Sequence, residues 1–522
     1  MTVAGVGQLA DSLCGEVPAA LVAMARWRLL DFLVALGATR GGAEARRAQA
    51  SVAALAPTGP VPLGVLPGST GPYQAAHTWA RLARSSEVDD LHLASCTTPG
   101  AVVFPALLAA ASLAGPVDAG RAASAAAAGY EAVARLGAAM SGPQLLAAGI
   151  WPTLAVAPLG AAVTVARALG GGPAEVRAAL ATAGSMVALG RPADEASRWL
   201  SFGGAVAGGL AAGLAAMGER AGGAGGSVGV GGLGGVGGPV GAGGLGGGLD
   251  WVERLPVPFD EAALAPDGAG FEAIGSTTVK PFCVAGQAAA VVALAAAHRG
   301  ELGDGTPVRR IVAWVPSGVL DMVRRAPQDR LSSLSSVPLG VAVGLLEPER
   351  LFEGTRDARL PGGTGARAAR VEEMMGRVEV RADDRLSAQW PRRWGGRLTV
   401  GRQDGSELEL AEDQATLRPP AGPAALEAKG RRLLPDLPAA SVGALVEACE
   451  QFDHLASVLG ALGSLLGGAG GPGGAGGPGG AGGPAGGGGL AGGGGAAGAG
   501  VPAGAGGGAS GAAGTGAGGV AA

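Results

Sequence analysis

Three side chains that can hold or transfer a proton lie close together in the sequence, at Asp89, Asp90 and His92. A carboxylate beside an imidazole fixes the tautomer of the ring and raises its basicity, which is the usual arrangement of a general acid–base pair. An Asp that caps a helix, followed by a structural His, would give the same string. The sequence therefore predicts an acid–base site here and leaves the structural interpretation open.

Lysine is scarce in this chain, so each lysine is informative. The 38 basic residues include only two lysines, Lys280 and Lys429, and arginine could have replaced either at an ordinary surface position. An ammonium group at Lys280 would bind a substrate carboxylate or protonate an enolate-like intermediate. The alternative is a surface lysine in front of the turn that Pro281 defines.

The chain has four histidines, at His77, His92, His298 and His454. Near the end of a helix, as at His298, or within the C-terminal helix, as at His454, a solvated or capping histidine is common. His77 lies in an Ala-rich helix, which favours a packed position. His92 alone follows a carboxylate pair, which we place at a helix end, and precedes a loop of small residues at 94–100. We therefore predict His92 as the acid–base residue, with one of the two carboxylates orienting its ring.

Composition excludes several classes of function. The net charge is −4 and we find no basic cluster with interleaved aromatic residues, so nucleic-acid binding has no electrostatic basis. The four cysteines are far apart, which predicts reduced thiols, no disulfide framework and no metal site. No basic segment precedes an apolar run at the N-terminus, so no signal peptide is expected. The apolar stretches are too short or too interrupted to cross a bilayer, and we expect a cytoplasmic protein without membrane contact.

The spacing of apolar residues predicts a mainly helical protein with a smaller α/β part. Helical periods and Ala-rich runs extend through the first 220 residues. Alternating or β-branched runs at 309–315, 377–381 and 397–400 predict strands. Helices at 286–298 and 338–346 are interleaved with them.

This pattern divides the chain into five segments. Two of them consist mostly of Gly with scattered small residues, which cannot repay the entropy of ordering, so they are predicted to be flexible. The predicted segments are the first part of a helical domain at 1–220, a Gly-rich linker at 221–249, a small α/β domain at 250–415, the C-terminal part of the helical domain at 416–466, and a disordered Gly/Ala-rich tail at 467–522.

Several short motifs occur in an order that is typical of one enzyme family. They are Ser86–His92 with Thr98-Pro99-Gly100, Gly129-Tyr130-Glu131 with Arg135-Leu136-Gly137 and Ile150-Trp151-Pro152-Thr153, Lys280-Pro281-Phe282-Cys283, Ser336–Gly340, and the C-terminal helix at 439–462. Together they resemble the MmgE/PrpD family, which includes 2-methylcitrate dehydratase and cis-aconitate decarboxylase. The resemblance covers about residues 5–220 and 255–465.

The resemblance implies a large all-helical domain built from both chain ends, with a smaller α/β domain inserted between them. It also implies a homodimer whose interface lies in the helical domain. Family members act on small polycarboxylates in a cleft between the two domains, without a metal. We therefore expect a small-molecule carboxylate or carbonyl substrate and no cofactor.

Most positions at which the family has a histidine carry another residue in this chain. Thr98 and Trp151 stand where the family has His, and Gln287 stands near a further one. Arg198 and Ser201 align with a family Lys and His.

A leucine, Leu339, replaces a family Tyr. The six residues predicted to bind substrate are therefore Thr98, Trp151, Arg198, Ser201, Gln287 and Leu339.

These replacements change what the site can do. Hydroxyl and amide groups form hydrogen bonds but do not transfer protons at neutral pH, and Trp151 and Leu339 add apolar surface. Of the cations, Arg198 and Lys280 remain. A substrate less polar than citrate would fit better, so methylcitrate dehydration is not expected.

The sequence thus predicts a lyase or isomerase that abstracts a proton next to a carbonyl or carboxylate. His92 is the predicted acid–base residue, Asp89 or Asp90 orients it, and Lys280 and Arg198 bind the anion. The alternative is a catalytically silent family member that serves as a binding or partner subunit.

Overall fold

The computed structural model describes residues 2–450 with gaps at 57, 115–116, 222–249, 266–269, 303–306, 325, 357–364 and 413–421, and also residue 458. The predicted linker at 221–249, apart from its first residue, and the whole predicted tail at 467–522 lie outside the described residues, as does His454.

Helices dominate the described chain. In the first half they are α1 Val3–Leu13, α2 Ala19–Gly37, α3 Ala43–Leu55, α4 Pro72–Ser85, α5 Gly100–Ala114, α6 Ala119–Ala139, α7 Gly142–Ala147, α8 Pro152–Ala168, α9 Pro173–Gly184 and α10 Glu195–Ala221. In the second half they are α11 Ala273–Ser276, α12 Gly286–Ala297, α13 Arg299–Leu302, α14 Leu320–Val323, α15 Arg330–Ser335, α16 Val337–Leu346, α17 Ala366–Gly376, α18 Asp384–Gln389, α19 Pro423–Leu433 and α20 Ala439–Glu450. Short 3-10 helices occur at Glu261–Leu264, Ser317–Val319 and Pro348–Phe352.

Small residues let the central helices approach closely. The Cβ that a residue other than glycine would carry at 160 would lie 2.3 Å from the Val133 side chain, and at 209 it would lie 2.4 Å from the Pro158 carbonyl oxygen. Such contacts leave room only for glycine, so α8 packs tightly against α6 and α10. The Ala-rich composition therefore produces one continuous core of small side chains through this bundle.

The C-terminal helices pack against the N-terminal ones. Helices α19 and α20 both lie on α2, and Val442 and Leu445 of α20 are completely buried. Gly37 of α2 approaches Leu434 so closely that a Cβ would lie 3.0 Å from it. Both ends of the described chain thus contribute to the same helical layer.

The largest sheet has four strands, β5 Val308–Val315, β6 Val378–Ala382, β7 Gly396–Arg402 and β8 Glu407–Glu412, in the order β6-β5-β7-β8. Strand β5 pairs parallel with β6 and antiparallel with β7, and β7 pairs antiparallel with β8. The three strands predicted from the sequence are confirmed in place. The structure adds β8, whose alternation of Glu and Leu follows the turn at Gly405.

Two short strand pairings lie outside this sheet. Strands β1 Val61–Pro62 and β2 Ser69–Thr70 pair with each other, and β3 Asp90–Leu91 pairs with β4 Thr278–Val279. The placement of the carboxylate pair at a helix end is wrong, because α4 ends at Ser85 and Asp90 begins a strand. Between them Glu87 has φ 54°, a left-handed conformation that turns the chain from the helix into β3.

The fold is mainly α with a smaller α/β part, as predicted. The predicted domain boundaries are not tested by this arrangement and stay predictions.

Among the described helices, Glu195–Gly218 of α10 is long and apolar enough to span a membrane by length and composition, with a mean hydropathy of 1.6. That helix packs against α4, α8 and α9, and half of the stretch is buried among them. The core helix of a globular fold has the same properties.

Candidate functional site

A buried ionic cluster lies where β3 begins and β4 ends. The Lys280 ammonium donates to the Asp89 Oδ1 at 3.0 Å and to the Glu87 Oε2 at 3.1 Å. The Arg84 guanidinium, from the last turn of α4, pairs with the same two atoms at 3.2 Å and 2.9 Å. The structure thus brings Asp89 and Lys280, two of the predicted catalytic residues, into direct contact within a four-residue network that has almost no solvent exposure.

Lys280 does not have the predicted role of binding a substrate anion. Its third donor goes to the Glu87 carbonyl oxygen at 3.1 Å, and an ammonium group has only three donors. All three are therefore occupied by protein acceptors. Burial alone would raise the pKa of Glu87, but Arg84, Lys280 and Arg198 together hold the pKa of that carboxyl well below its usual range. The lysine therefore helps to keep Glu87 charged, and it fixes the position of the acidic segment, residues 87–89.

Asp90 lies in a different environment from its neighbour Asp89. Its Oδ1 accepts from the Gly100 backbone N–H at 2.9 Å, at the start of α5, and its Oδ2 accepts from the Tyr130 hydroxyl at 2.6 Å. Burial raises the pKa of Asp90 to about 6, although the Arg28 guanidinium and the Tyr130 hydroxyl lower it. A Cβ at residue 100 would lie 2.9 Å from the Tyr130 hydroxyl, so this contact requires glycine.

His92 contacts neither carboxylate. Its Nδ1 lies 2.7 Å from the Ser95 Oγ, which in turn lies 2.7 Å from the Thr97 Oγ1. The predicted Asp–His pair is therefore wrong, because Asp89 and Asp90 bond to cations, Gly100 and Tyr130 instead. Burial lowers the pKa of His92 to about 4. The imidazole is thus neutral at neutral pH, and a buried hydroxyl chain fixes its orientation.

The turn that carries His92 is closed by backbone hydrogen bonds. The His92 N–H donates to the Thr97 carbonyl at 2.8 Å, and the Thr97 N–H donates back at 3.3 Å. Cys96, within the turn, has φ 55°. Side chains held in such a closed turn lose little additional entropy when they bind a ligand. The loop of small residues predicted at 94–100 thus has a defined conformation where it forms this turn.

Two arginines flank an aromatic cluster at the start of α8. The Arg198 guanidinium lies 4.2 Å from the Trp151 ring centroid, and the Arg84 guanidinium lies 4.8 Å from it. Trp151 packs in turn on Trp199 and Phe202, with ring centroids 5.8 Å and 5.1 Å away. Burial lowers the pKa of Arg198 to about 10, while Glu87 acts in the opposite direction. Arg198 and Trp151, predicted separately, thus lie together beside the ionic cluster.

A hydrogen-bonded pair of threonines joins the His92 turn to this aromatic cluster. The Thr98 backbone N–H donates to the Thr153 Oγ1 at 3.2 Å, and the two hydroxyl oxygens are 3.4 Å apart. Thr153 follows Trp151 and lies in the first turn of α8. A continuous series of contacts and short chain segments therefore links six of the predicted site residues: Asp89, His92, Thr98, Trp151, Arg198 and Lys280.

The remaining predicted residues are not brought into this series. Ser201 lies one turn after Arg198 on α10 but is exposed. Gln287 is half-buried in the first turn of α12, where the preceding Gly286 packs on Leu91. Leu339 is buried in the core near the start of α16.

Sequence reasoning missed several residues of the site. Tyr130 is one of two tyrosines in the chain, and the argument from scarcity that singled out lysine would have found it. Glu87 and Ser95 lie inside segments already quoted but have no distinctive type. Arg84 gives no signal in an Arg-rich chain, because only the fold brings it to Asp89.

The two adjacent carboxylates have different partners, because cations hold Asp89 and neutral donors hold Asp90. The imidazole of His92 lies in the turn that follows them. Buried groups whose pKa values are strongly shifted, as at Asp90 and His92, are typical of acid–base sites. Within the described residues, we find no group of three His, Cys, Asp or Glu side chains arranged to hold a metal ion.

Comparison with known proteins identifies both halves of the chain. The model of the MmgE/PrpD N-terminal domain matches residues 9–225, and the model of the MmgE/PrpD C-terminal domain matches residues 281–449. No individual curated protein matches the sequence. The two domain models cover most of the chain in the expected order, and Lys280 lies one residue before the second matched range. The chain therefore belongs to the MmgE/PrpD family.

Proposed function

We propose that the protein is a lyase or isomerase that abstracts a proton next to a carboxylate or carbonyl of a small substrate. Family membership supports a lyase-type enzyme, since the family includes dehydratases and decarboxylases. The proposal assigns the acid–base role to His92 and the binding of the substrate anion to Arg198. It assigns to Lys280 and Arg84 the role of holding Glu87 and Asp89.

The observation that carries this proposal is the anchored position of the His92 ring. Its Nδ1 lies 2.7 Å from the Ser95 hydroxyl oxygen. Burial lowers the pKa of the ring, so its unprotonated form is available as a base. In a dehydration, the neutral imidazole takes the proton from carbon, and the C–H electron pair forms the new double bond. The resulting imidazolium returns that proton to the departing hydroxyl, which leaves as water.

Arg198 fits the anion-binding role better than Lys280 does. Its Nε is buried without a hydrogen-bond partner, whereas every donor of Lys280 is occupied. A guanidinium presents a planar set of donors that matches a carboxylate. The guanidinium lies over the Trp151 ring, with its carbon 4.2 Å from the ring centroid.

A second function is favoured by the same contacts. Both oxygens of Asp90 and all donors of Lys280 are satisfied within the protein, as they would be in a catalytically silent binding subunit. The two proposals differ in whether His92 exchanges protons with a ligand. A binding subunit would hold a carboxylate without exchanging its C–H hydrogens.

Deuterium exchange separates the two functions. The protein is incubated in heavy water with a panel of small carboxylates and hydroxy acids, and NMR follows the loss of protons next to the carboxylate. We expect exchange for at least one compound, and His92→Asn should slow it about 10²- to 10⁴-fold. His298→Asn, at a half-exposed site beside Glu301, is the matched control and should exchange normally. Equal rates in the native protein and His92→Asn would reject His92 as the base.

Turnover of 2-methylcitrate or cis-aconitate should be absent or very slow. Rates common for enzymes, on the order of 10 per second, would contradict the proposed change of substrate.

We also propose a cytoplasmic homodimer whose interface lies in the helical part, which light scattering at micromolar concentration tests. A monomer would contradict that proposal.

A further inference from the structure

The ionic cluster around Arg198 carries one positive charge that the described protein does not balance. Its cations are Arg84, Lys280 and Arg198, and its carboxylates are Glu87 and Asp89. Both carboxylates are already paired, each with Arg84 and with Lys280. The surplus charge therefore falls on Arg198.

Arg198 shows the signs of a missing anionic partner. No hydrogen bond or ion pair joins its guanidinium to the residues that the structure describes, and its Nε is buried and unpartnered. It rests against Trp151 and lies 5.4 Å from the Trp199 ring centroid. Arg198 is half-buried, and a buried donor without an acceptor, such as its Nε, carries a desolvation cost that a bound anion would offset.

Neighbouring charges do not cancel this surplus. Glu195, the other carboxylate near Arg198, is paired with Arg330 at 2.7 Å and also accepts from the Trp199 indole N–H at 3.1 Å. On the other side of β3, Asp31 is paired with Lys429, and Asp90 faces Arg28. Each of these three groups is neutral as a whole, so none of them supplies a spare negative charge to Arg198.

We infer that the site takes a ligand with a single carboxylate rather than a di- or tricarboxylate. This inference rests on the proposed function, since it concerns the same anion site. One carboxylate neutralises Arg198 and satisfies its free donors, with a bidentate contact as the natural geometry. A second or third carboxylate would lie near Glu87 and Asp89 with no free cation to balance it. Repulsion and desolvation would then oppose binding.

Ligand binding is measured by calorimetry and by tryptophan fluorescence, because Trp151 and Trp199 lie beside Arg198. The probes are propanoate, succinate and citrate at equal ionic strength. We expect propanoate to bind about tenfold or more tightly than either of the others, the change that one unbalanced charged contact produces. Arg198→Gln should weaken propanoate binding by a similar factor. Arg324→Gln, at an exposed arginine paired with Asp321, is the matched control and should bind normally.

The outcomes separate this inference from the proposed function. If succinate or citrate binds as tightly as propanoate, or more tightly, and Arg198→Gln abolishes that binding, the single-charge inference is wrong but the carboxylate site stands. If no probe binds, or if Arg198→Gln binds all probes like the native protein, both the inference and the proposed anion site are wrong. Circular dichroism verifies that Arg198→Gln keeps its helices.

Discussion

Adjacent residues of the same type have opposite environments in this site. Asp89 is held by two cations, whereas Asp90 bonds to a backbone N–H and a phenol. Asp89 is the last residue before β3 and Asp90 is the first residue of that strand. Successive side chains of an extended chain point to opposite sides, so these neighbours meet different parts of the fold. The sequence motif alone does not distinguish the role of Asp89 from that of Asp90. Only the partners brought by α4, α6 and β4 distinguish their roles.

The hydroxyl of Ser95 should control the tautomer of His92. In Ser95→Ala the His92 Nδ1 loses its partner, so the populations of the two neutral tautomers should change. Ring ¹⁵N shifts of histidine-labelled protein measure this, and four histidines allow assignment by single substitutions. Thr97→Val should have a smaller effect, since Thr97 acts through Ser95. Ser112→Ala, where the hydroxyl bonds only within its helix, serves as the control. Unchanged His92 shifts in Ser95→Ala would show that the hydroxyl does not set the tautomer.

His77 should make the fold sensitive to acid. Burial, with the nearby Arg81, lowers the pKa of His77 to about 4 from an ordinary value near 6.5. The unfolded chain therefore binds a proton below pH 6.5 that the folded chain refuses until about pH 4, and stability falls as the pH drops through this window. The loss amounts to about 3 kcal/mol at most. Asp90 acts in the opposite direction, since its pKa is raised to about 6.

The measurement is the free energy of unfolding at several pH values for the native protein and His77→Gln. The slope between pH 6.5 and 4 should be smaller in the variant, because glutamine does not titrate. His298→Gln, at a half-exposed position, should keep the native slope. Identical slopes for all three proteins would mean that His77 is not the source of acid sensitivity.

Elements with their own periodicity were predictable from the sequence, and those defined by distant partners were not. Strands β5, β6 and β7 and helices α12 and α16 have strong local patterns and were found. Strand β3 has two residues and exists because β4 pairs with it across the chain. The turn through Glu87 likewise depends on Arg84 and Lys280, which hold its side chain. The site was therefore predicted as a set of residues but not as a set of contacts.

Helix α19 should stabilise the fold through its contacts with α2 and with residues 87–89. Its Lys429 donates to the Asp31 Oδ1 of α2 at 2.5 Å and to the Val88 carbonyl at 2.7 Å. Lys429→Met would leave Asp31 buried without its cation, which typically costs about 3 to 5 kcal/mol. Chemical denaturation of the native protein and the variant measures the loss.

A double variant distinguishes the charge effect from loss of packing. Asp31→Leu combined with Lys429→Met removes both charges, so it should recover most of the stability that Lys429→Met loses. Arg432→Met, at a half-exposed residue on the same helix paired with the exposed Glu349, should change stability by less than about 1 kcal/mol. Equal destabilisation by the single and double variants would show that packing, not charge pairing, decides the effect.

At the scale of the molecule, the order of helix, α/β and helix along the chain already indicated the architecture. The structure adds that α19 and α20 lie on α2, and that Lys429 reaches the segment next to Asp89. Both lysines of the chain are thus used to hold residues 87–89. The sequence suggested contact with substrate for Lys280 alone, whereas the structure shows both lysines bonded to protein acceptors.

Two truncations test where the stability of the chain resides. Removing residues 467–522 should leave the melting temperature nearly unchanged, because this segment contains few side chains larger than alanine apart from proline. Removing residues 439–522 also deletes α20, whose Val442, Leu445 and Cys449 are buried in the core. Each such side chain contributes about 1.5 to 3 kcal/mol, so the longer truncation should melt many degrees lower or fail to fold. A melting temperature that falls by many degrees in the shorter truncation would show that the Gly/Ala-rich segment packs against the fold. An unchanged melting temperature in the longer truncation would show that α20 is dispensable.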